Sequence, residues 1–255
     1  MKLDGLTAAV TGGGSGMGKA TAEALAEAGM RVLVLDRDGP AAEATAAAID
    51  GRSAALDVTD ASAVDAALQE VVEDFGPLRL VVNCAGIATA GRIVGREGPH
   101  DLDAFRRTIE VNLIGTFNVL RLAAARMAGN EPMPDADGER GVIVNTASIA
   151  AFEGQVGQAA YAASKGGVAA LTLPAARELA RHAIRVVTVA PGLIGTPMLG
   201  GMDDKVRESL EAQTVFPRRL GRPEEFARLV REIAGNPLIN GETIRLDGAV
   251  RLAAK

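Results

Sequence analysis

The only tyrosine of the chain, Tyr161, stands four residues before Lys165 in the stretch YAASK, and Ser148 lies thirteen positions upstream at the end of the apolar run GVIVNTAS. One turn of helix brings phenol and ammonium side by side. A cation beside a phenol favours the phenolate, so a group whose ordinary pKa is about 10 moves toward proton exchange near neutrality, at about 1.4 kcal/mol per unit. That is the chemistry of a general acid/base. The same spacing also suits a half-buried ring beside a solvated ammonium. What decides between the two is whether the rest of the chain supplies an electron carrier, a polarising partner and the elements to hold them.

An electron carrier has a place in TGGGSGMG, where Gly12, Gly16 and Gly18 form GxxxGxG after the strand-like LTAAV. Glycines there allow a tight turn, let backbone N–H groups approach a pyrophosphate, and aim a helix N-terminus at the anion. The spacing differs from GxGxxG, and a flexible strand-to-helix turn is the plain alternative. Asp36 ends the next strand-like run, RVLVLD, where a carboxylate accepts from the adenosine ribose and repels a 2′-phosphate, which predicts NAD over NADP. Arg37 follows it and suits a phosphate, but Ser15, before Gly16, offers no second cation. Asp57 and Val58 end the third strand, where a carboxylate and a backbone N–H can meet an adenine edge; Asp57 equally suits a helix start. Asn83, Cys84, Ala85 and Gly86 end the fourth, and small residues there let the backbone pass close to a ribose. Cys84 has no base near it in sequence and reads as a small buried residue, not a nucleophile.

The elements that must position these residues alternate in kind. LTAAV, RVLVLD, SAALDV and LRLVVNCAG are strand-like and are separated by alanine-rich helical stretches at Lys19 to Ala28, Ala41 to Ile49 and Ala61 to Phe75. A helix from Leu102 to Met127, the strand GVIVNTAS, a helix opening near Tyr161, the strand IRVVTVAPG, the helix PEEFARLVREIA and the strand ETIRLDG complete the pattern. Such alternation predicts an α/β, doubly wound (Rossmann-type) parallel sheet with helices on both faces. At 255 residues and 48% apolar content, one domain spanning 1–255 is expected. Longer loops are expected at Ala88 to His100, at Gly129 to Gly141 and after Pro191, where a substrate loop is placed. Pro174 falls inside the second-half helix and predicts a kink or a lost hydrogen bond.

A formal charge of −5 argues against a nucleic-acid surface held by bulk electrostatics. One cysteine and two histidines, His100 and His182, cannot assemble a disulfide framework or a cysteine-rich zinc site, so no metal is expected. No apolar run reaches spanning length, and the first strand follows Met1 so closely that no signal peptide is expected. A cytoplasmic protein is the expectation.

Taken together, TGGGSGMG, NCAG, Asn112, Ser148, YAASK and the PG pair at Pro191 and Gly192 resemble the short-chain dehydrogenase/reductase superfamily over essentially the whole chain. The resemblance implies Tyr161 as proton donor or acceptor and Ser148 as the group that polarises the substrate oxygen. Lys165 would lower the Tyr161 pKa and hold the nicotinamide ribose, and Asn112 would anchor a water in a proton relay. It also implies cofactor contacts at Ser15, Met17, Ile194 and Thr196, the last binding the carboxamide, and a homotetramer built on the helices around Asn112 and Tyr161. A closer likeness, in NTASIAAFEGQVGQAAYAASKGG, APGLIGTPM, FPRRLG and NGETIRLDGA, is to the type-2 3-hydroxyacyl-CoA dehydrogenases of that superfamily. It implies NAD-linked interconversion of 3-hydroxyacyl-CoA and 3-oxoacyl-CoA, with a steroid or other hydrophobic secondary alcohol as the alternative substrate. A dinucleotide-binding scaffold is the non-catalytic alternative. Gln155 and Gln158 are substrate-contact candidates, and Arg92, Arg96 and Arg218 are candidate partners for coenzyme A phosphates. The loop GNEPMPDADGERG departs from those relatives.

Overall fold

The structure, a computed structural model, describes residues 1–96, 98–197 and 204–254. Its elements run β1 (Thr7–Thr11), α1 (Gly16–Glu27), β2 (Arg31–Asp36), α2 (Gly39–Ala48), β3 (Arg52–Ala55), α3 (Ala61–Phe75) and β4 (Leu78–Asn83). A two-stranded antiparallel hairpin follows, β5 (Val94–Gly95) with β6 (Gly98–Pro99). Then come α4 (Leu102–Ile109), α5 (Thr116–Ala128), β7 (Gly141–Thr146), α6 (Ala159–Leu179), β8 (Ile184–Pro191), α7 (Asp204–Gln213), α8 (Pro223–Gly235) and β9 (Thr243–Leu246).

Seven strands pair in the order β3-β2-β1-β4-β7-β8-β9, and every pairing is parallel. The central strands are apolar at consecutive positions because helices cover both faces. Residues such as Val10, Val34, Val82 and Val144 pack toward Leu25 of α1 and Phe226, Val230 and Ile233 of α8. Their neighbours Ala9, Leu35, Val81 and Ile143 pack toward Leu68 of α3, Val119 and Met127 of α5, and Ala176 of α6. The strand order reverses between β1 and β4, which opens a crevice at their C-terminal ends, the place where open α/β sheets bind ligands.

Two expectations shift in detail. The third strand ends at Ala55, because Asp57 turns its carboxylate onto the backbone N–H and hydroxyl of Thr59, at 3.0 and 2.8 Å. The expected helix from Leu102 to Met127 is two α-helices joined by a π-helical turn, Glu110–Gly115, which carries Asn112. Pro174 lies inside the second-half helix as expected, and α6 runs over 21 residues through it. Of the expected substrate loop after Pro191, residues 198–203 lie outside the described residues.

Candidate active site

The crevice between β1 and β4 is built mainly from backbone. Gly12 sits at φ +65°, and a Cβ on it would stand 2.8 Å from the Ala85 nitrogen, so the first turn lies directly against the end of β4. A Cβ on Gly18 would collide with the Gly12 carbonyl oxygen, so α1 can start this close to β1 only with glycine there. Thr11 Oγ1 accepts the N–H groups of Cys84 and Ala85, each at 3.1 Å, and fastens the two strand ends together. Ser15 precedes α1 without a side-chain cap, and no acidic residue occupies the first turn, so the N–H groups there face the crevice unspent.

Asp36 is held rigidly at the end of β2: Oδ2 accepts from Gly14 N–H at 2.9 Å and Oδ1 from Asp38 N–H at 3.0 Å. Gly12, Ser15, Gly16, Met17, Gly18, Asp36, Asp57, Val58, Ala85, Gly86 and Thr196 all line the resulting cleft of about 340 Å³, with Arg37 at its rim. The hydrogen bonds from Thr59 hold Asp57 below the usual carboxylate range. Uncapped helix donors, a glycine floor and a fixed carboxylate fit an extended dinucleotide: pyrophosphate at the helix end, ribose at the acid.

A second pocket, of about 320 Å³, opens beside the first and shares Met17, Cys84, Gly86 and Thr196 with it. Ser148, Tyr161 and Lys165 all face it, together with Gln155, Gln158, Pro191, Gly192 and Ile194. Ser148 caps a short 3-10 turn after β7, its Oγ accepting the Ala150 N–H at 3.1 Å. Lys165, 4% exposed, donates to the Thr146 carbonyl at 2.8 Å and stands 6.0 Å from the Tyr161 ring centre. Burial pulls its pKa down to about 8.

Burial also pushes the Tyr161 pKa above its ordinary value, opposed by hydrogen bonding from Ser148. The net direction for the phenol is therefore upward: with the Lys165 ammonium donating to Thr146 and 6.0 Å from the ring centre, burial outweighs what that charge contributes. Cys84 is half-buried, accepts from Thr146 Oγ1 at 3.7 Å, and its thiol is pushed up to about 11 by burial.

Asn112 is fully buried and does not line the pocket. Its Oδ1 accepts from Ile87 N–H at 2.8 Å, and its Nδ2 donates to the Ile87 carbonyl at 2.9 Å and to Ser164 Oγ at 3.0 Å. Ser164 in turn donates to the Tyr161 carbonyl at 2.7 Å. The amide thus clamps the segment after β4 to the helix turn that presents Tyr161. Asn83 ends β4, and its side chain is buried, donates to Asn145 Oδ1 at 2.9 Å across β4 and β7, and lies outside the cleft lining. Register explains this, since Asn83 and Asn145 are direct partners in the sheet.

Several positioning residues escaped the sequence reading. Thr11 and Ser164 lie inside motifs that were recognised for other members. Asn118 donates to the Val58 carbonyl at 2.8 Å and fixes the edge of the cleft that Val58 lines; a polar residue inside TFNVLRLAA was its only signal. Arg92, Arg96 and Arg218 are exposed, and Arg92 lines an open groove of about 460 Å³ that also includes Gln155 and Gln158. Among the described residues, no group of three or more His, Cys, Asp or Glu is placed to hold a metal, and no helix is long and apolar enough to cross a membrane.

The short chain dehydrogenase profile matches residues 6–207. A 3-hydroxyacyl-CoA dehydrogenase type-2 of Bos taurus is 53% identical over 255 residues, covering 98% of this chain and 97% of the relative. The protein of that name from Drosophila melanogaster is 50% identical over 247 residues, covering 95% of this chain and 96% of the relative. A crystal structure of 3-hydroxyacyl-CoA dehydrogenase type-2 from Mycobacterium avium superimposes with a TM-score of 0.94 at 42% identity, covering 98% of each chain.

Proposed function

The chain belongs to the short chain dehydrogenase family, and from that premise we propose that it is an NAD-linked oxidoreductase interconverting a 3-hydroxyacyl-CoA and the corresponding 3-oxoacyl-CoA. The observation that carries this reading is the convergence of Ser148, Tyr161 and Lys165 on one pocket that opens directly onto the glycine-turn cleft. Support for the thioester comes from relatives at half identity over nearly the full chain that bear that name.

When bound, the nicotinamide supplies the two-electron chemistry, taking hydride from the alcohol carbon or returning it to the carbonyl carbon. Tyr161 takes the hydroxyl proton at its phenol oxygen during oxidation and gives it back during reduction. Ser148 donates to the substrate oxygen and holds it within reach of that phenol. Lys165, protonated at neutral pH with its pKa near 8, places a buried positive charge beside the ring and lowers the cost of the phenolate. Asp36 accepts from the adenosine ribose hydroxyls and repels a 2′-phosphate, which selects NAD. Apolar walls such as Ala88, Ile149 and Ile194 exclude water from the reacting carbon.

The test compares kcat/KM for acetoacetyl-CoA with NADH against a steroid panel with NAD. Dominant thioester turnover is expected. Negligible thioester turnover with steroid oxidation would replace the substrate class, and NADH binding without either activity would leave a scaffold. The same reading makes the protein a homotetramer, supported by exposed Ile114 in the π-turn, Phe117 on α5 and Leu173 on α6. Light scattering at the mass of four chains checks it.

A further inference from the structure

Beyond β9 the chain doubles back over the segment that follows Ser148. Gly248 and Ala249 take left-handed backbone, at φ +57° and +64°, an uncommon conformation for alanine. Asp247 holds that reversal: its Oδ1 accepts the Ala249 N–H at 3.0 Å and its carbonyl accepts the Val250 N–H at 3.1 Å. Val250 is fully buried and pins the start of the returning segment.

The residues after it lie along 153–156 like a strap. Glu153 Oε2 accepts the Leu252 N–H at 3.1 Å, Gln155 Nε2 donates to the Ala253 carbonyl at 3.0 Å, and Val156 N–H donates to the Ala254 carbonyl at 3.0 Å. A charge-balanced quartet fastens both sides. Arg245 grips Glu153 through two nitrogens, at 2.8 and 3.2 Å, and reaches Asp247 with a third at 2.7 Å. Arg251 adds Asp247 at 3.2 Å and Glu153 at 3.4 Å, and the Phe152 ring stacks 5.5 Å from the Arg245 guanidinium. Two-point arginine–carboxylate contacts fix direction as well as distance, and here the carboxylates are about four-fifths shielded or more, at 22% and 8% side-chain exposure.

The strap sets Leu252 into the wall of the pocket that contains Ser148 and Tyr161. It also fixes Gln155, which pairs with Gln158 at the same wall. None of its described hydrogen bonds goes to Ser148, Tyr161 or Lys165, so it shapes the space around the substrate and leaves the proton path alone.

We propose that the segment 247–254 sets Leu252 into the wall of the substrate pocket, that Leu252 limits the length of acyl chain admitted, and that Glu153 is the positioning residue that holds Leu252 there. The inference rests on the thioester reading given above. An apolar wall that is too near by a methylene or two discriminates by about 10-fold or more in kcat/KM, which gives the scale of the effect.

The experiment measures kcat/KM for four-carbon and eight-carbon 3-oxoacyl-CoA with NADH. Leu252→Ala is expected to move the ratio about 10-fold toward the longer chain, and Leu252→Phe to move it the opposite way. Glu153→Gln is expected to move it in the direction of Leu252→Ala, through KM more than kcat, and to add nothing in the Leu252→Ala background. An unchanged ratio in both Leu252 variants overturns the proposal, and each variant is informative if the other fails to fold. A Glu153→Gln protein that loses melting temperature but keeps the ratio removes Glu153 from the role. Absence of thioester turnover in the unaltered protein is a failure of the earlier reading, and it is separable because it precedes any substitution.

Discussion

The cleft between β1 and β4 and the pocket wall beyond Ser148 are built by different means. The cleft is made of backbone: glycines that admit no Cβ, strand ends tied by Thr11, and a carboxylate held by two main-chain N–H groups. The substrate wall is made of side chains brought from distant parts of the chain, with Arg245 meeting Glu153 across 92 positions and Leu252 meeting it across 99. A backbone-built site recognises what every dinucleotide shares and tolerates little change. A wall held by ion pairs can be re-lined without disturbing the sheet, so substrate range and cofactor use are separable properties of this fold.

The sharpest break in that comparison is at the residue both halves serve. Tyr161→Phe removes the proton carrier and is expected to lower kcat by at least about 100-fold while NADH binding, followed by fluorescence, survives. Loss of binding instead would tie the phenol to the cleft more than to the chemistry. Gly18→Ala tests the backbone-built side: the new Cβ meets the Gly12 carbonyl, and overpacking of about 1–3 kcal/mol predicts NADH binding weakened by about 10-fold to 100-fold. Retained affinity with a folded far-UV signal would show that the turn yields more easily than the geometry implies.

Asp36→Ala follows, with discrimination between NAD and NADP expected to relax by about 10-fold, the scale of one well-placed charge. A preference for NADP in the unaltered protein would remove that role from Asp36. The smallest effect is a shift of profile. Burial raises the Tyr161 pKa and Ser148 opposes the rise, so alcohol oxidation should climb as pH increases above neutrality while reduction falls. Removing the opposing hydroxyl in Ser148→Ala should move both limbs to higher pH, and a shift to lower pH would reverse the assignment.

How far these features were legible follows from their range along the chain. Strands β1, β2, β4, β7 and β8 and the turn that carries the glycines are local patterns, and the sequence located them closely. The π-turn at Asn112 was not legible because one extra residue per turn leaves an apolar helix pattern nearly unchanged. The pairing of the Asn83 side chain was not legible because strand alternation says which residues share a face but not which of them a sheet partner will claim. The direction of the Tyr161 shift required burial, which spacing alone does not supply. The strap was invisible for the plainest reason: its partners are separated by 99 residues, and nothing local to Glu153 or Leu252 signals the other.

The single thiol separates the folded chain from the opened one. Cys84 sits where the cleft and the reaction pocket meet, and at a pKa of about 11 it is almost wholly protonated under physiological conditions. Only the thiolate attacks a disulfide reagent, whereas in an open chain the pKa returns to about 8.5 and the reactive fraction grows by more than a hundredfold. Native Cys84 is therefore expected to consume such a reagent far more slowly than the opened chain does, with no second cysteine to confuse the signal.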